Sequence, residues 1–213
     1  MISLSEIDRK QAFRYMGLHG EPDAQMLETA DNCEKKLLSA VRPRYCWNIF
    51  QKENLKTILI GQDIQKHLEN CASVILFCAT LSQSTDLCIR QAQTADILSG
   101  MMTDAMASAL TEQLCDEVEK EILSQFPEKF STWRFSPGYG DMPLEVQPDF
   151  LRVINAEKRL GICVSEGGLL IPTKSVTAMI GLSDEPLPKS KKGCGICNLS
   201  KTCPYRMRGV HCS

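Results

Sequence analysis

The sequence lacks the features that would assign it to several common classes of protein. No apolar run approaches the ~20 residues that a membrane-spanning helix needs, and the first ten residues, MISLSEIDRK, carry no apolar signal segment. The 24 basic and 26 acidic side chains leave a net charge of −2, so no basic surface for nucleic acid is indicated. We therefore expect a cytoplasmic protein with neither a membrane nor a nucleic acid as its partner.

Familiar catalytic motifs are also missing. The segment GYGDMP has neither the third glycine nor the strand–turn–helix setting of a dinucleotide-binding fingerprint, and no Gly-x-Ser-x-Gly motif of a hydrolase occurs. His67 is predicted to lie on the surface of a helix. The histidines are too dispersed for a histidine-based metal centre, the three being His19, His67 and His211.

Cysteine, in contrast, is abundant, with 11 in the chain. Four of them fall in the last twenty residues. The others are scattered through periodic or apolar segments, where a reduced thiol serves as a small buried hydrophobe. The scattered set is Cys33, Cys46, Cys71, Cys78, Cys88, Cys115 and Cys163.

Hydrophobic periodicity predicts an α+β fold, with a mainly antiparallel, twisted sheet flanked by helices. Helices are predicted at 5–15 with Ser5 as the cap, 23–38, 63–70, two over 86–126 with a bend near Gly100, and 148–158; strands at 44–50, 56–60, 71–81, 161–165, 168–172 and 175–182. The long helix should bury a stripe of Met102, Met106, Ala109, Leu110, Leu114, Val118 and Ile122. We divide the chain into a domain (1–183), a Pro/Lys linker (184–193) and a cysteine-rich tail (194–213).

One segment has the composition of a ligand-binding loop: WRFSPGYGDMP, residues 133–143. Pro137 fixes its own φ angle, while Gly138 and Gly140 can adopt backbone angles that are costly for other residues. The loop should therefore be rigid and present exposed amides next to Arg134 and Tyr139. The alternative interpretation is a proline-rich turn with a surface arginine.

The spacing of Arg134-x3-Gly138-Tyr139-x3-Pro143, followed by AEKRLGICVSEGGLLIPTKSVTAMIGL (156–182), resembles the activation domain of cobalamin-dependent methionine synthase. Upstream, RPRYCW, GQDIQKHL and VILFCATL are similar to free-standing bacterial forms of this domain, so the resemblance covers roughly residues 30–183. It implies that the loop binds S-adenosylmethionine, with Arg134, Pro137, Gly138, Tyr139, Gly140 and Pro143 as the binding residues.

The resemblance also implies a mechanism. An arginine can hold the ligand carboxylate, and carbonyl groups and an aromatic ring suit its ammonium and sulfonium groups. In the family the loop tyrosine faces the corrinoid, so Tyr139 is expected at the catalytic position. The domain would reactivate cobalt(II) by coupling its reduction to methyl transfer from S-adenosylmethionine. It would be the activation component of a methyltransferase rather than a complete enzyme.

The sequence departs from the fused enzymes of the family in two ways. It contains no substrate barrels and no Asp-x-His-x-x-Gly cobalamin motif, so cobalamin is expected on a separate methionine synthase module or another corrinoid protein. An electron donor such as flavodoxin or ferredoxin is implied as a second partner. A further aromatic ligand contact of longer family members is replaced by the linker. Two alternatives remain: reactivation of a different corrinoid methyltransferase, and a non-catalytic redox or metal-binding module.

The tail, CGICNLSKTCPYRMRGVHCS, predicts a metal centre bound by Cys194, Cys197, Cys203 and Cys212. A Cys-x2-Cys pair presents two thiolates from one turn, and His211 could replace Cys212. Zinc and an iron–sulfur cluster both fit four such ligands. Pro204 after Cys203, and the need for a low-potential electron, favour the cluster. The simpler alternative is a tail of unligated thiols.

Overall fold

The computed structural model describes residues 2–18 and 20–188. Seven helices occur in this part of the chain: α1 Arg9–Tyr15, α2 Ala24–Ala40, α3 Gln62–His67, α4 Gln83–Ala95, α5 Ile97–Leu123, α6 Gln147–Val153 and α7 Ala156–Leu160. Its strands are β1 Arg44–Gln51, β2 Ser73–Thr80, β3 Phe130–Ser131, β4 Cys163–Val164, β5 Leu170–Ile171 and β6 Ser175–Ser183. Two short 3-10 helices span Lys52–Leu55 and Leu144–Val146.

The strands form a four-stranded sheet in the order β1-β2-β6-β3 and a separate β4-β5 hairpin. Every pairing is antiparallel. The predicted α+β class with an antiparallel sheet flanked by helices is confirmed. The last strand of the domain lies inside the sheet, beside β2, so the sheet is complete only when the chain reaches Ser183.

Both faces of the sheet are covered by hydrophobic clusters. Ile75 and Phe77 of β2 point into a cluster with α2, α4 and α5. The alternate residues Val74 and Leu76 point into a second cluster with α3, α6 and α7. Burial on both faces explains why β2 is a continuous apolar run rather than an alternating one. All seven residues of the predicted stripe on α5 are buried, which confirms the helical periodicity.

The helix starting at residue 5 and the bend at Gly100 were both misplaced. Asp8, rather than Ser5, caps α1, because its Oδ1 accepts the Gln11 N–H at 3.0 Å. The boundary between the two helices lies instead at Asp96. Its extended backbone ends α4, and its side chain caps the first turn of α5. Gly100 instead lies inside α5 where that helix meets α4: a Cβ there would be 2.8 Å from the Gln93 Cα.

Two further predictions from the sequence are corrected. Residues 56–60 do not form a strand; turns after a 3-10 helix bury both Ile58 and Leu59, although a strand would point these neighbours to opposite faces. The helix at 148–158 is divided into α6 and α7 by Asn155, which is left-handed with φ 55°.

The cysteines of the described part follow the prediction with one exception. Six scattered thiols are buried, whereas Cys163 of β4 is exposed. Of the predicted linker, residues 184–188 are described, and Leu187 packs against the second cluster. The predicted metal ligands Cys194, Cys197, Cys203 and Cys212 lie outside the described residues. Among the helices that are described, none has the length and hydrophobicity needed to cross a membrane.

Candidate functional site

The predicted loop leaves the sheet immediately beside the central strand β6. Phe135 and Met179 exchange two backbone hydrogen bonds of 2.9 and 2.8 Å, which fix the start of the loop. Pro137 is buried, and Gly138 and Gly140 have φ values of 92° and 55°. The expected glycine conformations are therefore confirmed: residues with a side chain would be strained at both positions.

Three of the loop amides that were expected to be exposed are instead hydrogen-bonded within the loop. The Gly138 N–H donates to the Met142 carbonyl at 2.9 Å, and the Met142 N–H donates to the Tyr139 carbonyl at 3.0 Å. The Tyr139 N–H is likewise used within the loop, on the Ser136 carbonyl at 3.0 Å. The loop is held by its own hydrogen bonds, so these three amides are not free for a ligand.

Helix α3 contacts the far end of the loop through two aspartates. The Asp141 carboxylate accepts the N–H groups of Gln62 at 2.7 Å and Asp63 at 3.0 Å, and the Asp63 carboxylate accepts the Asp141 N–H at 3.1 Å. The N–H groups of Asp63 and then Gln62 lower the pKa of Asp141. The first turn of α3 is thus capped by a residue of the loop, since its own N-cap, Gly61, has no side chain.

Helix α3 also contacts the near end of the loop. The His67 Nε2–H donates to the Trp133 carbonyl at 2.9 Å, and the His67 ring lies 4.4 Å from Trp133 and 5.2 Å from Phe135 between centroids. His67 is therefore packed among aromatic rings rather than lying on a helix surface as predicted. Burial lowers its pKa, so the neutral imidazole is favoured.

Tyr139 extends this aromatic cluster to the surface. Its ring centroid lies 5.9 Å from that of Phe135, and 51% of the residue is exposed. Desolvation, and then the charge of Glu112, raise the pKa of Tyr139, which keeps the phenol protonated. The exposed part of the ring and its neutral hydroxyl therefore lie at the surface of the loop.

Arg134 lies at the start of the loop and is surrounded by carboxylates of α5. Its Nη1 is 2.7 Å from Asp116 and 2.8 Å from Glu119, and its Nη2 is 3.4 Å from Glu112. Burial alone would lower the pKa of the guanidinium, but the carboxylates, led by Asp116, raise it above its ordinary value. Arg134 is thus fully charged and already paired.

The three carboxylates share one face of α5 because they are spaced four and three residues apart. The side chain of Glu112 is 51% exposed and that of Asp116 is 67% exposed. One guanidinium against three carboxylates leaves this face, here called the acidic face, with two excess negative charges. Cys115 lies beneath it, and burial raises its pKa to about 12, so that thiol is unreactive.

A shallow groove of about 620 Å³ extends along the same helix towards its start. Tyr15, Ile97 and Met101 supply its apolar wall, and Asp104 and Ser108 its polar wall. Asp104 and Ser108 precede Glu112 at four-residue spacing, so the groove continues the acidic face. At this end of the groove, Lys174 neutralises the charge of Asp104. The Lys174 Nζ lies 2.9 Å from the Asp104 carboxylate and donates to the Ser108 hydroxyl at 2.8 Å.

The predicted binding residues thus lie together in one loop. The role of each residue towards a ligand stays a prediction. The sequence analysis missed Glu112, Asp116 and Glu119, whose spacing on one helical face was a usable signal. It also missed Asp63, for which the sequence offers no signal. Residues 2–18 and 20–188 contain no cluster of three or more His, Cys, Asp or Glu that could hold a metal ion.

Comparison with known proteins defines the fold. No family model matches the chain, and no curated protein matches it. Among solved structures, the chain is similar to the crystal structure of the MetH reactivation domain bound to AdoHcy, with a TM-score of 0.59 and 13% sequence identity. The similarity covers 96% of this chain and 82% of that chain. The fold is therefore that of a methionine synthase reactivation domain.

Proposed function

We propose that the chain binds S-adenosylmethionine and supports reductive methylation of a corrinoid carried by another protein. The observation that carries the proposal is the arrangement of the 133–143 loop, with Tyr139 at its surface and the acidic face beside it. This loop occurs in a fold shared with a domain that binds AdoHcy. AdoHcy is what remains of S-adenosylmethionine after its methyl group is transferred.

The charge of the acidic face fits this ligand. S-adenosylmethionine carries an ammonium, a sulfonium and a carboxylate, and so one net positive charge. Glu112 and Asp116, the more exposed carboxylates, can hold the ammonium. The excess negative charge favours the sulfonium ligand over its neutral product, which assists release of the product after methyl transfer.

Arg134 has a double role in this proposal. It orders the carboxylates of α5, and it is the cation available to the ligand carboxylate. Its longest ion pair, 3.4 Å to Glu112, is the one that a ligand can replace at least cost. Glu112 then turns from the guanidinium to the ligand ammonium, so that both charges remain paired.

The proposed reaction transfers the methyl group of S-adenosylmethionine to the corrinoid. A low-potential donor gives one electron to cobalt(II) of the corrinoid, and the resulting cobalt(I) attacks the methyl carbon of S-adenosylmethionine. The carbon–sulfur bond breaks with its electron pair staying on sulfur, so that AdoHcy leaves and methylcobalt is formed. The contribution of this chain is to hold the methyl donor in line and to exclude water, with Tyr139 between donor and corrinoid.

Calorimetric titration with S-adenosylmethionine tests the binding step. Heat of binding from the wild-type chain, and weaker binding of AdoHcy, are expected; no heat with either ligand would overturn the proposal.

A second assay combines the chain with a cobalt(II) corrinoid methyltransferase, a low-potential reductant and S-adenosylmethionine, and follows the methylcobalt spectrum. Tyr139→Ala should slow this reaction more than it weakens binding, because the backbone of the loop remains.

A further inference from the structure

The contacts of α3 suggest a role that the proposed function does not assign. The helix is hydrogen-bonded to both ends of the 133–143 loop. His67, the last residue of α3, donates to the Trp133 carbonyl, and N–H groups of its first turn donate to the Asp141 carboxylate. Seven residues lie between Trp133 and Asp141, and this segment contains both positive-φ glycines of the loop, Gly138 and Gly140. A short helix thus spans the base of the loop.

We propose that Asp141 and Asp63 are positioning residues, a clasp that sets the conformation of the loop in which S-adenosylmethionine would bind. This inference rests on the proposed function for its ligand, but its structural basis is independent. Each carboxylate accepts a backbone N–H of the other residue, 78 positions away, and Asp141 accepts the Gln62 N–H as well. The three bonds close a ring between helix and loop.

The space around the clasp supports the same reading. A Cβ on Gly140 would lie 2.2 Å from the Asp63 Oδ2, and a Cβ on Gly61 would lie 2.5 Å from the Asp141 Oδ1. Each aspartate therefore occupies the space left by a glycine of the opposite segment. A side chain at either glycine would collide with the opposing carboxylate, so both positions require glycine for the clasp to form.

The clasp acts on the ligand through the loop backbone. The Asp141 N–H is bound by Asp63, and the next amide, Met142, closes the turn onto the Tyr139 carbonyl. Releasing Asp141 would loosen that turn and let Tyr139 move relative to Arg134. Because misplacement by ~1 Å can cost about a hundredfold in rate, the effect should appear in binding and turnover before it appears in folding.

The variant Asp141→Asn tests the clasp in the full-length chain. An amide presents one acceptor instead of two, so one N–H of α3 is left facing an NH2 group. We expect affinity for S-adenosylmethionine to fall by about tenfold or more, with a melting temperature close to that of the wild type. Asp149→Asn is the matched control: Asp149 pairs with Arg152 on the surface, and the affinity should not change.

Amide hydrogen exchange separates this inference from the proposed function, since it needs no ligand. Asp141→Asn should speed exchange at Met142 and Gly138, and Asp63→Asn should do the same. The double variant should add little to either single variant, because both break one ring. Unchanged loop exchange overturns the clasp, and faster exchange with wild-type affinity overturns its role in positioning the ligand. Absence of binding by the wild type overturns only the proposed function.

Discussion

At the scale of single residues, the site is defined by how charges are paired. Arg134 is surrounded by Glu112, Asp116 and Glu119, and its side chain is only 21% exposed. A planar guanidinium can contact several carboxylates at once, whereas a lysine ammonium is a single point charge. The identity of this residue, and not only its charge, should therefore matter.

Arg134→Lys and Arg134→Ala should both weaken binding of S-adenosylmethionine. The expected loss for alanine is about 1.5–3 kcal/mol, or roughly ten- to a hundredfold in affinity, and lysine should recover part of it. Titration calorimetry measures the effect. Arg152→Ala, which removes an exposed arginine paired with Asp149, is the control and should bind like the wild type. Equal affinity in all three variants would remove Arg134 from the ligand site.

His67 gives the protein a predictable response to acid. Burial lowers its pKa in the folded state, while in the unfolded chain it titrates near ~6.5. As the pH falls below that value, the unfolded state binds a proton that the folded state resists, so the free energy of unfolding decreases until the folded pKa is reached. Above ~6.5 this dependence should vanish.

His67→Gln should reduce that dependence, because glutamine does not titrate but can still donate to the Trp133 carbonyl. Urea unfolding at several pH values between ~4.5 and ~7.5 measures the slope. The relevant quantity is the difference in slope between variant and wild type, since His19 and His211 contribute equally to both. A variant with an unchanged slope would mean that His67 is as solvated in the folded chain as in the unfolded one.

At the scale of elements, the sequence predicts what periodicity controls. The α5 stripe and the buried run of β2 follow from local patterns and are confirmed. The strand predicted at 56–60 fails because two adjacent apolar residues can be buried by a turn as well as by a sheet. The Asp63–Asp141 clasp could not be predicted at all, since its partners are 78 residues apart and local pattern carries no distance information.

The junction of α4 and α5 shows how an element contact can override helix propensity. Alanine normally stabilises a helix relative to glycine by up to ~1 kcal/mol, but a Cβ at Gly100 would lie 2.8 Å from the Gln93 Cα. Gly100→Ala should therefore destabilise the chain, by about 1–3 kcal/mol, in urea unfolding. Gly167→Ala is the control, with 3.9 Å to its nearest neighbour. A stabilised Gly100→Ala would show that the two helices can separate cheaply.

At the scale of the whole molecule, the site depends on the order in which the sheet is assembled. β6 lies between β2 and β3, and the loop begins at the backbone bridge from Phe135 to Met179 of β6. The β2–β6 pairing joins segments about a hundred residues apart, so this part of the sheet closes only after most of the chain has been made. The loop therefore has no fixed base until the domain is complete.

The cysteine-rich tail lies beyond β6, outside the described residues, and its metal centre stays a prediction for the full-length chain. Four thiolates from Cys194, Cys197, Cys203 and Cys212 would suit an iron–sulfur cluster able to carry the electron that cobalt(II) needs, or a structural zinc ion. Anaerobic purification followed by metal analysis and visible absorption distinguishes them, and the cluster should give a coloured protein.

Cys197→Ser should abolish the metal content, because loss of one thiolate of a Cys-x2-Cys pair leaves an incomplete ligand set. Cys163→Ser is the matched control: Cys163 is the exposed thiol of the described part, in the β4-β5 hairpin, and its loss should leave the metal in place. A colourless wild-type chain with one zinc would replace the cluster by a structural site and require an external electron donor. A metal-free wild-type chain would contradict both forms of the prediction while leaving the loop and its ligand untouched.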